Sequence, residues 1–138
     1  WLAAAALARP AAEGGQVVVT ADSSLPVVQA VLRWDPAWHA GRELADRVAL
    51  GFPPASRIAS LTGPPAGVAD LLAAATLPAG ADLLGPVGAS EGRERLLIRV
   101  PRSAAAALAT ALAGAQAVRS ARKAPDPVRV ELDPLDLF

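Results

Sequence analysis

The feature that most constrains the fold is the order of predicted elements after the double proline Pro53-Pro54. Short apolar runs typical of strands alternate there with alanine- and leucine-rich segments typical of helices. The order is strand, helix, strand, strand, helix, strand. In the same order, the predicted segments are Ser56–Thr62, Ala66–Thr76, Ala81–Val87, Arg93–Val100, a helix opened by Pro101-Arg102-Ser103 and running to about Ser120, and Val128–Leu132.

This order is the pattern of the split βαβ, or ferredoxin-like, fold. Two right-handed crossovers would place both helices on one face of a four-stranded antiparallel sheet. The first and third strands, Ser56–Thr62 and Arg93–Val100, would then form the central pair. We therefore predict an α+β fold for this part of the chain.

The segment before the double proline has a different pattern. We predict helices over Trp1–Arg9 and Val27–Arg33, and a buried strand over Gln16–Thr20 because of its three consecutive valines. An Asp22-Ser23-Ser24 cluster would cap the second helix, and Asp35-Pro36 would begin a third, ending at Leu50. We divide the chain into residues 1–33, a connecting helix and junction at 34–55, and the C-terminal α+β domain at 56–138.

Composition excludes several classes of function. The 138 residues carry 13 basic and 13 acidic side chains, so no overall charge attracts the chain to nucleic acid or to a membrane. With no Cys and one His, thiolate metal sites, cysteine nucleophiles and His-rich metal sites are excluded. No uncharged apolar run reaches the ~20 residues that span a bilayer. Because the chain begins with Trp1 and not Met, we expect it to be internal to a longer protein.

The arginines of the predicted sheet suggest an anion-binding face. Strand alternation would put one set of them on the face that the helices leave uncovered, and Arg102 opens the following helix. Such a face suits phosphates, although aromatic residues that stack bases are missing from it. It could equally be a solvated face, or one covered by the helix Pro36–Leu50. The set is Arg57, Arg93, Arg95, Arg99 and Arg129.

A second cluster of cations, Arg119, Arg122 and Lys123, lies at the end of the long alanine helix. Cations at this position complement the helix dipole, which is a structural role. Their density also suggests an anionic partner, so both interpretations stay open.

Catalytic groups are few. His39 has Asp35 and Glu43 four residues to either side, which is more typical of a surface network than of a catalytic group. We find no phosphate loop, no nucleophile with a base, and no metal-ligand spacing, so we predict neither catalytic nor metal-binding residues. Trp34 and Trp38 would wedge two packed elements together or, less simply, line a peptide pocket.

Several motifs resemble the family of primosomal protein N-prime, the replication restart helicase. The helix Arg42–Arg47 runs into Leu50-Gly51-Phe52-Pro53-Pro54 and then a strand bearing Arg57, as at the family's junction. The resemblance extends over nearly the whole chain and is closest to the actinobacterial branch. Its other parts are Gly14–Ala21, Val28–Pro36, Leu84-Gly85-Pro86-Val87, Ile98-Arg99-Val100-Pro101, Arg119–Lys123 and Val130–Pro134.

This resemblance implies a C-terminal domain that contacts forked or single-stranded DNA and the acidic tail of the single-stranded-DNA-binding protein, in the cytoplasm with the nucleoid. Residues 1–33 would be the end of the second helicase lobe. Zinc and ATP would be bound in upstream domains, and no cofactor in this chain. Where the family carries Q-x-x-G-R-A-G-R, this chain has Leu2–Arg9 with a single arginine. That departure implies a helicase-like protein without motor function.

Two hypotheses follow. The first is a domain that binds DNA and a partner, through the arginines of the sheet (Arg57, Arg95, Arg99, Arg102, Arg129) or those of the helix end. The alternative is a structural domain that docks the helicase lobes without a ligand of its own. Neither is an enzyme in this chain.

Overall fold

The structure is a computed structural model that describes residues 1–135. The chain divides into two compact units, residues 1–46 and residues 47 onward. The boundary between the two units, at 46/47, lies within the helix Pro36–Leu50. Our predicted boundaries at 33/34 and 55/56 stay predictions. The last three positions of the predicted C-terminal domain lie outside the described residues.

The first unit consists mainly of helices. Its elements are α1 (Leu2–Ala5), α2 (Pro26–Arg33) and most of α3 (Pro36–Leu50). The predicted start of α3 is confirmed, because the Asp35 carboxylate accepts a hydrogen bond of 2.9 Å from the Trp38 backbone N–H. This bond satisfies one of the free donors at the helix N-terminus.

Three predictions for this unit are wrong. Gln16–Thr20 forms no strand, and α1 is shorter than Trp1–Arg9. A strand needs a hydrogen-bonded neighbour, and Val18 instead has 86% of its surface exposed. Asp22 does not cap α2, which Leu25 precedes. Its carboxylate accepts a 2.8 Å bond from the Ser24 N–H, which lowers the pKa of Asp22.

The second unit contains the sheet, and here the predicted fold is confirmed. Its four strands in the described residues lie in the order β2-β3-β1-β4, and every neighbouring pair is antiparallel. The elements in chain order are β1 (Ser56–Gly63), α4 (Pro65–Ala74), β2 (Asp82–Gly88), β3 (Glu94–Pro101), α5 (Ala105–Ala121) and β4 (Arg129–Leu132).

Both helices of this unit pack on the same face of the sheet. Leu61 in β1 and Ile98 in β3 are fully buried beneath Leu71 of α4 and Leu108 of α5. Alternation along each strand directs every second side chain into this core. Neither α4 nor α5 covers the opposite face, which we call the open face. Ile58 and Ser60 of β1 are nevertheless buried on it. None of the described helices is both long and apolar enough to cross a membrane.

Candidate interaction face of the sheet

The register of the central strands determines which residues lie on the open face. Directly opposed residues of an antiparallel pair point to the same side of the sheet. Because Ala59 and Leu61 of β1 point into the core, Ile58, Ser60 and Thr62 point to the open face. Across the sheet they form three rows: Val87, Arg95, Thr62, Arg129; Leu84, Leu97, Ser60, Glu131; and Asp82, Arg99, Ile58.

Arg95, Arg99 and Arg129 therefore lie on the open face, as the alternation predicted. Arg95 and Arg129 flank Thr62 in one row, and Arg99 lies four residues along β3 from Arg95. The register thus brings three of the predicted arginines together.

Arg57 lies elsewhere, and its predicted placement on this face is wrong, whereas the predicted placement of Arg93 stays a prediction. Arg57 is opposite Val100, so it points to the helix side, where it donates a 2.7 Å bond to Asp133. The prediction failed because Ile58, not Arg57, occupies the open-face position of β1. Arg93 precedes the first residue of β3 and pairs with Glu91 at 2.9 Å.

The open face also contains an apolar groove. It has a volume of about 340 Å³, and Ile58 at its floor is 2% exposed. Sequence reasoning missed these apolar residues, although the isolated Ile58 and the Leu84-Gly85-Pro86 interruption of β2 were signals for them. The lining residues are Phe52, Ile58, Leu84, Gly85, Val87, Arg95, Leu97 and Arg99.

Charges of both signs lie on this face. Arg99 pairs with Asp82 at 2.9 Å, and its side chain is 29% exposed. Arg129 pairs with Glu131 at 2.7 Å and is 74% exposed. An anionic ligand would therefore compete with a carboxylate for each of these arginines. For an exposed pair such as Arg129–Glu131, the attraction to be overcome is small.

Three arginines also hold the junction loop, which we define as residues 50–54. The guanidinium of Arg47 donates to the carbonyl of Pro53 at 2.9 Å, that of Arg99 to Leu50 at 3.3 Å, and that of Arg102 to Pro54 at 3.2 Å. These carbonyls follow the end of α3, where helix bonds are no longer available. Arg99 and Arg102 thus have a structural role in addition to the one predicted.

Gly51 lies within this loop in a left-handed conformation with φ of 67°. A Cβ at this position would lie 2.8 Å from the Nη1 atom of Arg99. The positive φ therefore favours glycine, whereas the flexible end of Arg99 would have to shift to admit a Cβ.

The three cations at the end of α5, Arg119, Arg122 and Lys123, differ in their exposure. Arg119 is 4% exposed and donates to the carbonyls of Gly67 and Asp126 and to the carboxylate of Asp70. It connects α5 to α4 and to the loop before β4, and it is not accessible to an anion. Arg122 and Lys123 are exposed at the end of α5.

The predicted network around His39 does not include Asp35, whose carboxylate caps α3. His39 lines an apolar cavity of about 320 Å³ within the first unit. Among residues 1–135, no three His, Asp or Glu side chains are grouped closely enough to hold a metal ion.

Comparison with known families relates this geometry to other proteins. Residues 48–135, which include the whole sheet and both of its helices, match the model described as the primosomal protein N C-terminal domain. The chain belongs to this family. The family resemblance that the sequence motifs suggested is confirmed, and the matched region is the C-terminal domain, which is not itself the catalytic helicase domain.

Similar proteins are found in mycobacteria. The chain is 44% identical over 149 aligned positions to the Probable replication restart protein PriA of Mycobacterium leprae. It is 43% identical over 156 positions to the protein of the same name from Mycobacterium tuberculosis H37Rv. Both alignments include 99% of this chain but only 23% and 24% of the relatives, so the chain spans about a quarter of their length.

Proposed function

We propose that the unit from residue 47 onward serves replication restart as a domain that binds DNA and a protein partner. The family match and the names of the mycobacterial relatives support a role in replication restart. The DNA would be forked or single-stranded, the other domains of the parent protein would supply any motor, and the cytoplasm is the expected location.

The observation that carries this proposal is that Arg95 and Arg99 line the apolar groove, while Arg129 lies in the same row of the sheet as Arg95. Guanidinium groups recognise phosphate oxygens through paired hydrogen bonds. Arg95 and Arg129 are separated by two strand spacings of about 4.8 Å, and Arg95 and Arg99 by two repeats of about 6.8 Å. The three arginines would therefore contact phosphates that are not all successive along a strand. Exposed Arg122 and Lys123 could extend the contact from the end of α5, and Arg102 from the junction.

The groove favours a second ligand, the acidic tail of the single-stranded-DNA-binding protein. Carboxylates pair with guanidinium as phosphates do. An apolar side chain of a peptide would also gain by leaving water for the surface formed by Phe52, Ile58 and Leu97. We therefore propose that the tail and DNA compete for Arg95 and Arg99.

A structural docking domain is the alternative. The bonds from Arg99 and Arg102 to the junction loop favour it, because they occupy donors that a ligand would need. Phosphate contacts release counterions, so DNA binding predicts a steep fall of affinity with salt. Docking alone predicts no binding of DNA.

The test uses a matched pair of variants, Arg129→Ala and Arg93→Ala. Both arginines are exposed, and each pairs with a glutamate two residues away, but Arg129 is part of the sheet whereas Arg93 precedes β3. Binding of the whole chain to fluorescently labelled forked DNA is measured by anisotropy at several salt concentrations. We expect Arg129→Ala to lower the salt slope by about 0.7–0.9 and Arg93→Ala to leave it unchanged.

The triple variant Arg95/Arg99/Arg129→Ala should lower the slope by roughly 2 and weaken binding of a peptide with the acidic tail sequence. Circular dichroism controls for folding, because Arg99 also holds the junction loop. If Arg129→Ala and Arg93→Ala bind alike while Arg122/Lys123→Ala loses affinity, the end of α5 is the site. If no variant and no parent chain binds DNA, the docking alternative is correct.

A further inference from the structure

Trp38 in the first unit lies against two arginines. The guanidinium carbon of Arg33 is 5.8 Å from the centre of its ring, and that of Arg42 is 5.6 Å from it. These distances are within the range of cation–π attraction. The indole of Trp38 nevertheless stays 36% exposed, and Trp34, four residues earlier, is 56% exposed.

The two arginines differ from those of the sheet in their partners. Arg57, Arg93, Arg99 and Arg129 each bond to a carboxylate. Arg33 and Arg42 are exposed, and in residues 1–135 they make neither an ion pair nor a hydrogen bond. A guanidinium held near an indole by cation–π attraction still has N–H donors available to an anion.

Two of the neighbouring carboxylates, Asp35 and Glu43, already have partners. Asp35 accepts the hydrogen bond that caps α3, and Glu43 has a partner as well. The surface therefore combines two cations within cation–π distance of the Trp38 ring with two exposed aromatic residues. Single-stranded nucleic acids present negative charges and flat rings at regular intervals, which is the chemistry that such a surface recognises. An acidic peptide presents the charges without the rings.

We infer that Arg33, Trp34, Trp38 and Arg42 form a binding site for single-stranded nucleic acid, with the guanidinium groups on phosphates and the indoles against bases. This site is separate from the open face of the sheet. The inference rests on the proposed function only in taking a nucleic acid as the ligand.

Tryptophan fluorescence tests this site without interference from the sheet. All three tryptophans, Trp1, Trp34 and Trp38, lie in the first unit. The whole chain is titrated with a short oligothymidylate at several salt concentrations. We expect quenching that saturates, with an affinity that falls as salt rises. The Arg95/Arg99/Arg129→Ala variant should show the same quenching, so failure of the proposed function would not affect this result.

The decisive variants are Arg33→Gln/Arg42→Gln and its charge-matched control Arg9→Gln/Arg93→Gln, which all keep the three tryptophans. The first should bind about tenfold more weakly, with a salt slope lower by about 1.4, while the control behaves as the parent. Circular dichroism verifies that both variants keep their helices.

Three results would overturn the inference. The first is equal affinity of the two double variants for oligothymidylate. The second is an absence of quenching at low salt in the parent chain. The third is equal quenching by polyglutamate and oligothymidylate, which would assign the surface to an acidic protein partner.

Discussion

Leu61 and Ile98 in the second unit have no exposed surface, whereas Leu7 and Val18 in the first unit are 88% and 86% exposed. Among residues 1–46, full burial of an apolar side chain is limited to Val28 and Ala30. In the second unit, one continuous core joins two helices and three strands. The two units thus have similar alanine- and valine-rich sequences but differ in whether these residues find neighbours.

This difference shows what fixes a β-strand. Val17-Val18-Val19 has the β propensity of a strand, but no partner strand is available to it in residues 1–46. Ser56–Gly63 is flanked on both sides by β3 and β4, and its register is fixed by the core face. Propensity alone is too weak to form a strand, because most of its apparent strength comes from packing against neighbours.

The largest expected difference is between substitutions of one apolar residue in each unit. Leu61→Ala should lower the free energy of unfolding by about 2–5 kcal/mol, because it leaves a cavity in a closely packed core. Val18→Ala should change it by less than about 0.5 kcal/mol, as at other exposed positions. Urea denaturation followed by circular dichroism measures both. A comparable loss in Val18→Ala would mean that the first unit has a core of its own.

A smaller but substantial effect is expected at Arg119. Its replacement by Ala leaves the carbonyls of Gly67 and Asp126 without their donor and removes the ion pair with Asp70. We expect a loss of about 2–3 kcal/mol in the free energy of unfolding.

Arg122→Ala is the control for Arg119→Ala, since Arg122 lies three residues further along the same helix end and is exposed. It should cost less than about 0.5 kcal/mol. Equal losses in the two variants would show that charge at the end of the helix, and not the buried contacts of Arg119, stabilises the unit.

The smallest effect is expected from deletion of residues 1–33. The core cluster of the second unit lies between Ala59 and Val128, so the deletion removes none of it. The midpoint of thermal unfolding of the remainder should stay nearly unchanged. A drop of about ten degrees, on the order of 1–2 kcal/mol for a domain of this size, would mean that the deleted segment contributes to the same core.

The sequence alone was sufficient to predict the sheet and its helices. Alternating apolar residues in Leu96, Ile98 and Val100 define one face of β3, and prolines and glycines mark most element ends. The bounds of α3 were predicted to the residue, because an Asp-Pro pair begins it and Gly51 follows its last residue.

The site was less predictable, for a physical reason at each residue. Arg57 was assigned to the wrong face because β1 is buried on both faces, so polar and apolar residues do not alternate along it. The burial of Arg119 depends on Gly67 and Asp126, which the fold alone brings near it. Arg99 and Arg102 donate hydrogen bonds to backbone carbonyls of the junction loop. Every residue has such a carbonyl, so residue types alone could not predict these bonds.

The contact between Gly51 and Arg99 couples the end of α3 to the edge of the sheet. A side chain at position 51 would meet the guanidinium 2.8 Å away, and the flexible end of Arg99 would have to move aside. The positive φ of 67° would still favour Asn over branched residues at this position. Because the same guanidinium donates to the Leu50 carbonyl and to Asp82, a residue accepted at position 51 would weaken the bonds that connect the junction loop to β2.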